Sequence, residues 1–299
     1  MATVDPQKLL QEVFAADAEK YFDEPAGVAL FDAPLVGVAR ADDAWFARFK
    51  EVIGQFYWTP QEALALVAPG ATARSVISWS LPISAVARRA NRKESRMPAR
   101  PWAYVRTFGE EFGKRLRHGL AERLRQMGYA VAEPGGMKEN KVESRPGAGI
   151  SACWSERHTA FVAGLGTFGL SGGLITRRGI AHRLGSVVTD AGLEPTPRPY
   201  GDDPFAWCLR TSAGTSAAPV RAPNGAERGK CGACIKRCPA GSVGESVAAR
   251  NKDACRAYAY DFVSKRGRVL FGWEGTYGCG LCQTGVPCEE RNPTEKQSP

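Results

Sequence analysis

Apolar positions set the first expectations. Leu9, Leu10, Val13, Phe14 and Ala15 recur among polar residues at helical spacing, which predicts a helix from Pro6 to about Tyr21. Gly27–Phe31 and Leu35–Ala39 are short apolar runs interrupted by Asp32 and Pro34, so they predict extended or loop segments. Helical spacing returns over Trp45–Phe56 and Pro60–Val67. The second of these has Thr59 as N-cap, Pro60 at the first helical position and Glu62 in the first turn. Ser75–Leu81 is a β-branched run suited to a buried strand. Between Val105 and Met127, Phe108, Phe112, Leu116, Leu120 and Leu124 recur every three or four residues with Lys and Arg between them, the pattern of a long helix laid on a sheet. Gly128 marks its end and Tyr129–Ala132 reads as the next strand. Helix and strand signals that alternate in this way predict an α/β domain.

Ser155 is positioned to cap a further helix that runs into Gly164-Leu-Gly166-Thr167-Phe168-Gly169 and then Leu174-Ile-Thr176. The glycines have G-x-G-x-x-G spacing, but a dinucleotide fingerprint follows a strand and opens a helix, whereas this run follows a helix and leads into a strand. Its glycines suggest instead a cradle in which a flat ligand lies close to the backbone. Gly185–Asp190 is another strand, expected to pair with Leu174–Thr176 through the turn at Arg177-Arg178-Gly179. From about Leu193 the composition shifts to Pro, Gly and Ser. This predicts a domain boundary there, with residues 1–192 forming a cofactor-binding α/β domain and 193–299 a second domain.

Composition narrows the class. With 299 residues, 43% hydrophobic and 24% charged, the chain has the material for one large or two modest globular domains. No eighteen-residue apolar run and no basic-then-apolar leader is present, so membrane spanning and export are not expected and the cytoplasm is the expected location. The net charge of +9 is spread along the chain. Its densest stretch, Arg88 to Arg100, reads equally as a solvated loop or as a contact for a phosphate-bearing ligand.

Nine cysteines carry the candidate chemistry, and seven of them fall between Cys231 and Cys288. Cys231-Gly-Ala-Cys234-Ile-Lys-Arg-Cys238-Pro239 is a C-x-x-C-x-x-x-C-P string, and Cys279-Gly-Leu-Cys282 with Cys288 follows Cys255. Short C-x-x-C spacings supply two thiolates from one turn, and a proline after the last cysteine is the punctuation of bacterial ferredoxins. Two [4Fe–4S] clusters need about eight thiolates, so one ligand lies outside this stretch, and Cys208 is the better candidate. Zinc accounts for the pairs but not for Cys238 and Cys288. In two-cluster ferredoxins the last cysteine of each run serves the other cluster. Carried over, that places Cys208, Cys231, Cys234 and Cys288 on one cluster, and Cys238, Cys255, Cys279 and Cys282 on the other.

Ser-Glu156-Arg157-His158 through Gly164-Leu-Gly166-Thr-Phe-Gly169, then Gly-Leu-Ile-Thr176, Gly185–Asp190 and the cysteine run resemble, in that order, the epoxyqueuosine reductase and reductive dehalogenase superfamily. The resemblance covers roughly Ser75 to Cys288. It implies a nitroreductase-like corrinoid-binding domain followed by a ferredoxin-like domain with two [4Fe–4S] clusters, an α/β or α+β architecture. It further implies a cobalamin held by Glu156, Arg157, His158, Gly164, Gly166, Thr167, Phe168, Gly169 and Thr176. The implied activity is delivery of low-potential electrons from an external donor such as ferredoxin or flavodoxin to a corrinoid that reduces a small or nucleoside-like substrate. A non-catalytic electron-transfer or corrinoid-handling protein is the alternative. Three departures stand out. Ile150 occupies the place of the family's aspartate proton donor, Cys208 is distant from the other cysteines, and the helical-repeat tail that many members use for tRNA is not found before Pro299, which weakens tRNA as a partner. Tyr104, Glu156 and Cys153 are the candidate acids. Glu156 alternatively forms a structural ion pair with an arginine, and Cys153 alternatively is a small buried apolar group.

Overall fold

The computed structural model describes residues 4–17, 29–145, 149–211, 221–222, 224–272 and 278–296. At its centre is a four-stranded antiparallel sheet in the order β1-β2-β8-β3, made of β1 (Leu35–Arg40), β2 (Ser75–Pro82), β8 (His182–Thr189) and β3 (Val131–Ala132). All eight residues of β2 are buried, so its sequence carries large apolar side chains and small serines instead of alternating with charged residues. Ile77 and Val187 are register partners that pack on one side of the sheet, while Val76 and Val188 pack on the other.

The first side is covered by α5 (Arg100–Gln126), through Phe112, Leu116, Leu120 and Leu124, and by Leu10 of α1 (Pro6–Ala16). Burial of each such side chain is worth about 1.5–3 kcal/mol. The amphipathic stripe read from the sequence is therefore the buried face of this helix, and Gly128 follows its end at φ +90°. α4 (Ala85–Arg92) packs beside α5. On the opposite side lie α2 (Ala44–Val52), α3 (Pro60–Ala65) and α6 (Glu156–Val162), with Phe46, Phe49, Tyr57, Trp154 and Phe161 in their shared core. Thr59 and Glu62 form the reciprocal cap expected at the start of α3.

One strand pairing differs from expectation. β7 (Leu174–Thr176) does not pair with β8 but forms a hairpin with β6 (Gly166–Phe168). β8 instead pairs along its whole length with β2, and with β3 only at Val188 and Thr189. A second hairpin joins β4 (Glu143–Arg145) and β5 (Gly149–Ser151). The expected helix end at residues 18–21, part of the Gly27–Phe31 segment, and much of the Gly- and Ser-rich stretch before Cys231 lie outside the described residues.

The cysteine-rich end consists of short elements: α7 (Ala233–Arg237), α8 (Lys252–Arg256), a π-helical segment (Ala257–Phe262) and α9 (Val263–Phe271). The apolar core continues across residue 193, with Tyr200, Trp207, Val243 and Val286 packed in the same cluster as Phe161 and Leu165. Among the described residues, no helix is long and apolar enough to cross a membrane.

Candidate metal centre

The eight cysteines at the C-terminal end fall into two groups, and neither group follows sequence order. Cys208, Cys231, Cys234 and Cys288 line a single pocket whose remaining wall includes Ile175, Ile180 and Val286. Cys238, Cys255, Cys279 and Cys282 lie near one another: Cys282 senses the charge of Cys279, Cys238 and Cys255, and less that of Cys234, while Cys279 senses Cys238 and Cys255. Cys238 thus leaves its own run for the second group, and Cys288 leaves its run for the first. All nine cysteines are free thiols.

Short local devices aim these side chains. Cys231 and Cys234 flank the start of α7, and Cys238 is its C-cap. Gly280, between Cys279 and Cys282, has φ +62°, and a Cβ there would meet the Trp102 ring at 2.2 Å, so the turn closes against α5 only with glycine. Arg237 ties α7 to this turn by donating from Nε to Thr284 O at 2.9 Å, and it reaches α4 by donating from Nη2 to Asn91 O at 3.2 Å.

The thiols resist ionisation in one another's company. Burial, then Cys208 and Cys231, pushes Cys234 up to about 11. Burial likewise pushes Cys279 up to about 11, and it raises Cys282 and Cys288 further, with neighbouring thiols adding to the effect. Cys238 goes the other way: burial opposes it, but hydrogen bonds from Ser242 and nearby backbone N–H groups lower it. Buried, crowded thiols of this kind become thiolates together only when a cationic centre compensates them, and binding of that centre releases protons. Among the described residues no three His, Cys, Asp or Glu side chains converge on a single metal ion. The first four instead surround a space, as ligands of a cube do.

The basic stretch left open by composition also finds its role here. Arg92 donates to both carboxylate oxygens of Glu289 at 3.1 and 2.8 Å, and Arg88 lies 3.9 Å from the same carboxylate and 3.3 Å from Glu290. Gly285 N donates to Glu289 at 2.6 Å. Arg88, buried, and Arg92, half-exposed, thus clamp α4 onto the residues that follow Cys288.

The glycine-rich run is not an open cradle. A Cβ on Gly166 would stand 2.0 Å from Ile175 O across the hairpin, one on Gly164 2.8 Å from Pro197 O, and one on Gly169 3.3 Å from the Ile175 side chain. Protein, not ligand, fills the space these glycines leave. Thr167 Oγ1 accepts from Trp207 N at 3.0 Å and Phe168 N donates to Pro204 O at 2.6 Å, so the hairpin fixes the segment that carries Cys208. Thr176 Oγ1 donates to Gly179 O at 2.9 Å. His158 bonds Ser155 Oγ at 2.7 Å and lies between the rings of Phe49 and Phe168, where burial, then Arg157, lowers it to about 3 and keeps it neutral.

The candidate acids are dispersed. Cys153 is buried at 8% exposure with its thiol 3.9 Å from Glu139 O, and Tyr104 is buried on α5 with its ring 4.3 Å from that of Phe108. Glu156 is not held by an arginine ion pair. Ser186 donates to its Oε2 at 2.6 Å while Trp154 Nε1 donates to Ser186 at 2.9 Å. Burial pushes Glu156 up to about 7 against the pull of Ser186 and Arg117, and its Oε1 is sealed from solvent without a partner. This carboxyl can hold a proton near neutrality. Ser242, Arg237 and Glu289 were not recognised from sequence, because nothing local distinguishes a serine or glutamate that meets a distant group.

No protein-family model and no curated protein matches the sequence. Solved structures do. An epoxyqueuosine reductase from Streptococcus thermophilus is similar over 98% of this chain and 68% of its own, with 16% identity and a TM-score of 0.51. This chain has the epoxyqueuosine reductase fold. A selenomethionine-labelled epoxyqueuosine reductase, at 17% identity, is also similar, over 98% of this chain and 70% of its own with a TM-score of 0.47. A catabolic reductive dehalogenase in complex with 3-bromo-4-hydroxybenzoic acid, at 11% identity, covers 96% and 36% with a TM-score of 0.48. At these identities the likeness speaks to the epoxyqueuosine reductase fold and not to the reaction.

Proposed function

We propose that this chain is an iron–sulfur oxidoreductase with two [4Fe–4S] clusters. One is held by Cys208, Cys231, Cys234 and Cys288, the other by Cys238, Cys255, Cys279 and Cys282, and electrons from an external donor such as ferredoxin or flavodoxin pass through them to a small or nucleoside-like substrate. The observation that supports this reading is the exchange of Cys238 and Cys288 between the two groups, because cross-ligation of that kind belongs to paired clusters. When bound, the clusters supply one-electron transfer at low potential. The chain's own part is to hold thiolates, to direct Ser242 N at the Cys238 sulfur at 3.3 Å, and to bury the first site behind Ile175, Ile180 and Val286. Such hydrogen bonds and such burial tune a cluster's potential.

A corrinoid was expected against the glycine-rich run. Gly164, Gly166, Gly169, Thr167 and Thr176 are occupied by protein contacts and do not fit it, so no step is routed through a corrinoid. A solved epoxyqueuosine reductase with a tRNA stem loop is similar at a TM-score of 0.47, which gives no support for tRNA here.

Reduction by dithionite without oxygen tests the proposed activity. The brown absorption of the purified protein is expected to fade, with two overlapping paramagnetic signals from reduced clusters that broaden one another. A protein whose spectrum is indifferent to dithionite would overturn the redox reading.

A further inference from the structure

Two polar atoms of one residue meet the sulfur of Cys238. Ser242 N donates to it at 3.3 Å, and Ser242 Oγ lies 3.2 Å from it. A cysteine that ligates iron is a thiolate and carries no proton, so between this sulfur and this hydroxyl only the hydroxyl can donate. Ser242 is 2% exposed, which shields both bonds from competing water and strengthens them.

The same serine is tied to the segment that carries Cys255. Its carbonyl accepts from Asn251 N at 2.9 Å. Asn251 caps α8, where its Oδ1 accepts from Ala254 N at 2.9 Å, and its carbonyl accepts from Cys255 N at 3.3 Å. Gly241 N donates to Cys238 O at 3.2 Å, which closes the turn that brings Ser242 back to the sulfur. One buried residue thus bonds one thiol directly and reaches the backbone of a second through Asn251. The other site is built differently: Cys238 stands outside the pocket of Cys208, Cys231, Cys234 and Cys288, whose wall includes the apolar Ile175, Ile180 and Val286.

An iron–sulfur cluster takes on one negative charge when it is reduced. Donors aimed at its sulfurs stabilise that charge and raise the potential, whereas an apolar wall opposes the charge and lowers it. We propose that Ser242 sets the reduction potential of the cluster that Cys238 ligates and holds it above that of the cluster in the apolar pocket, so that the first electron from an external one-electron donor rests on the Cys238 side. The donor loses one electron and the cluster gains it; no bond breaks and no proton moves. Ser242 is a positioning residue that acts through the sulfur it bonds. The inference rests on the two-cluster reading above and adds to it an order between the clusters.

The test is a potentiometric titration of the full chain, purified without oxygen and reduced by dithionite in the presence of mediators, with the paramagnetic signals as readout. Two separate one-electron steps are expected. In Ser242→Ala the upper step should fall by about 59 mV, a tenfold change in the ratio of reduced to oxidised cluster for one lost hydrogen bond, while the lower step stays in place. Ser242→Thr restores a hydroxyl and should recover most of the shift. Cys208→Ser keeps the Cys238 cluster and should titrate at the upper potential; Cys255→Ser keeps the other and should titrate at the lower. These two variants leave Ser242 intact, so they decide the order even where Ser242→Ala fails to retain a cluster. An upper step in Ser242→Ala equal to that of wild type with full iron content, or the reverse order in the two cysteine variants, would overturn the proposal. A chain without iron, or one indifferent to dithionite, would instead fail the two-cluster reading itself.

Discussion

Cys208→Ser protein is expected to purify with about four irons per chain in place of about eight, because one cube loses a ligand while the other keeps all of its own. The effect is large since a serine oxygen is a harder donor than the thiolate an iron–sulfur cube selects. The same cavity loses nothing else: Trp207 N still bonds Thr167, and Cys208 N still bonds Phe205 O at 3.0 Å. Iron and acid-labile sulfide analysis, with spectra of the dithionite-reduced protein, reads the outcome. The signal that remains should match the one left intact in Cys231→Ser and differ from the one left intact in Cys255→Ser. Retention of both clusters with an unaltered spectrum would remove Cys208 from the ligand set.

Glu289→Ala is expected to be the most destabilising single change outside the cysteines. Glu289 is 3% exposed, and it takes two hydrogen bonds from Arg92 and one from Gly285 N, with Arg88 at 3.9 Å. Its removal leaves Gly285 N without its acceptor and Arg92 without its two-point partner, while Arg88 keeps Asp32 at 3.7 Å and Glu290 at 3.3 Å, a loss of about 3 kcal/mol. For a chain of this size that lowers the thermal midpoint by roughly 10 °C. Glu289 follows Cys288 directly, so cluster colour should bleach at lower temperature as well. A Glu289→Gln variant keeps the shape and the hydrogen-bond acceptor, and it should fall between the two. A midpoint for Glu289→Ala within about 2 °C of wild type would show that the clamp carries little of the fold's stability.

Much of this architecture was legible because it is written in local periodicity. The stripe Phe112, Leu116, Leu120 and Leu124 identifies the buried face of α5, and the β-branched run at Ser75–Leu81, free of charged residues, identifies a strand covered on both sides. The proposed grouping of the thiols rests on a rule about order within cysteine runs. Contacts between distant residues were not legible. The charge of Arg88 and Arg92 is plain in the sequence, but their partners Glu289 and Glu290 lie about two hundred positions away. The glycines misled for a related reason. Gly166 must lack a side chain whether a ligand or Ile175 O fills the space, and only the packing distinguishes the two. Glu156 reads from the sequence either as an acid or as the partner of an arginine, and only the fold shows that Ser186 satisfies one of its oxygens while burial pushes it up to about 7.

The central claim is that these eight cysteines hold two iron–sulfur cubes, and metal analysis of protein purified without oxygen tests it most directly. About eight irons and about eight acid-labile sulfides per chain are expected, with zinc well below one. Stoichiometric zinc without acid-labile sulfide would contradict the account.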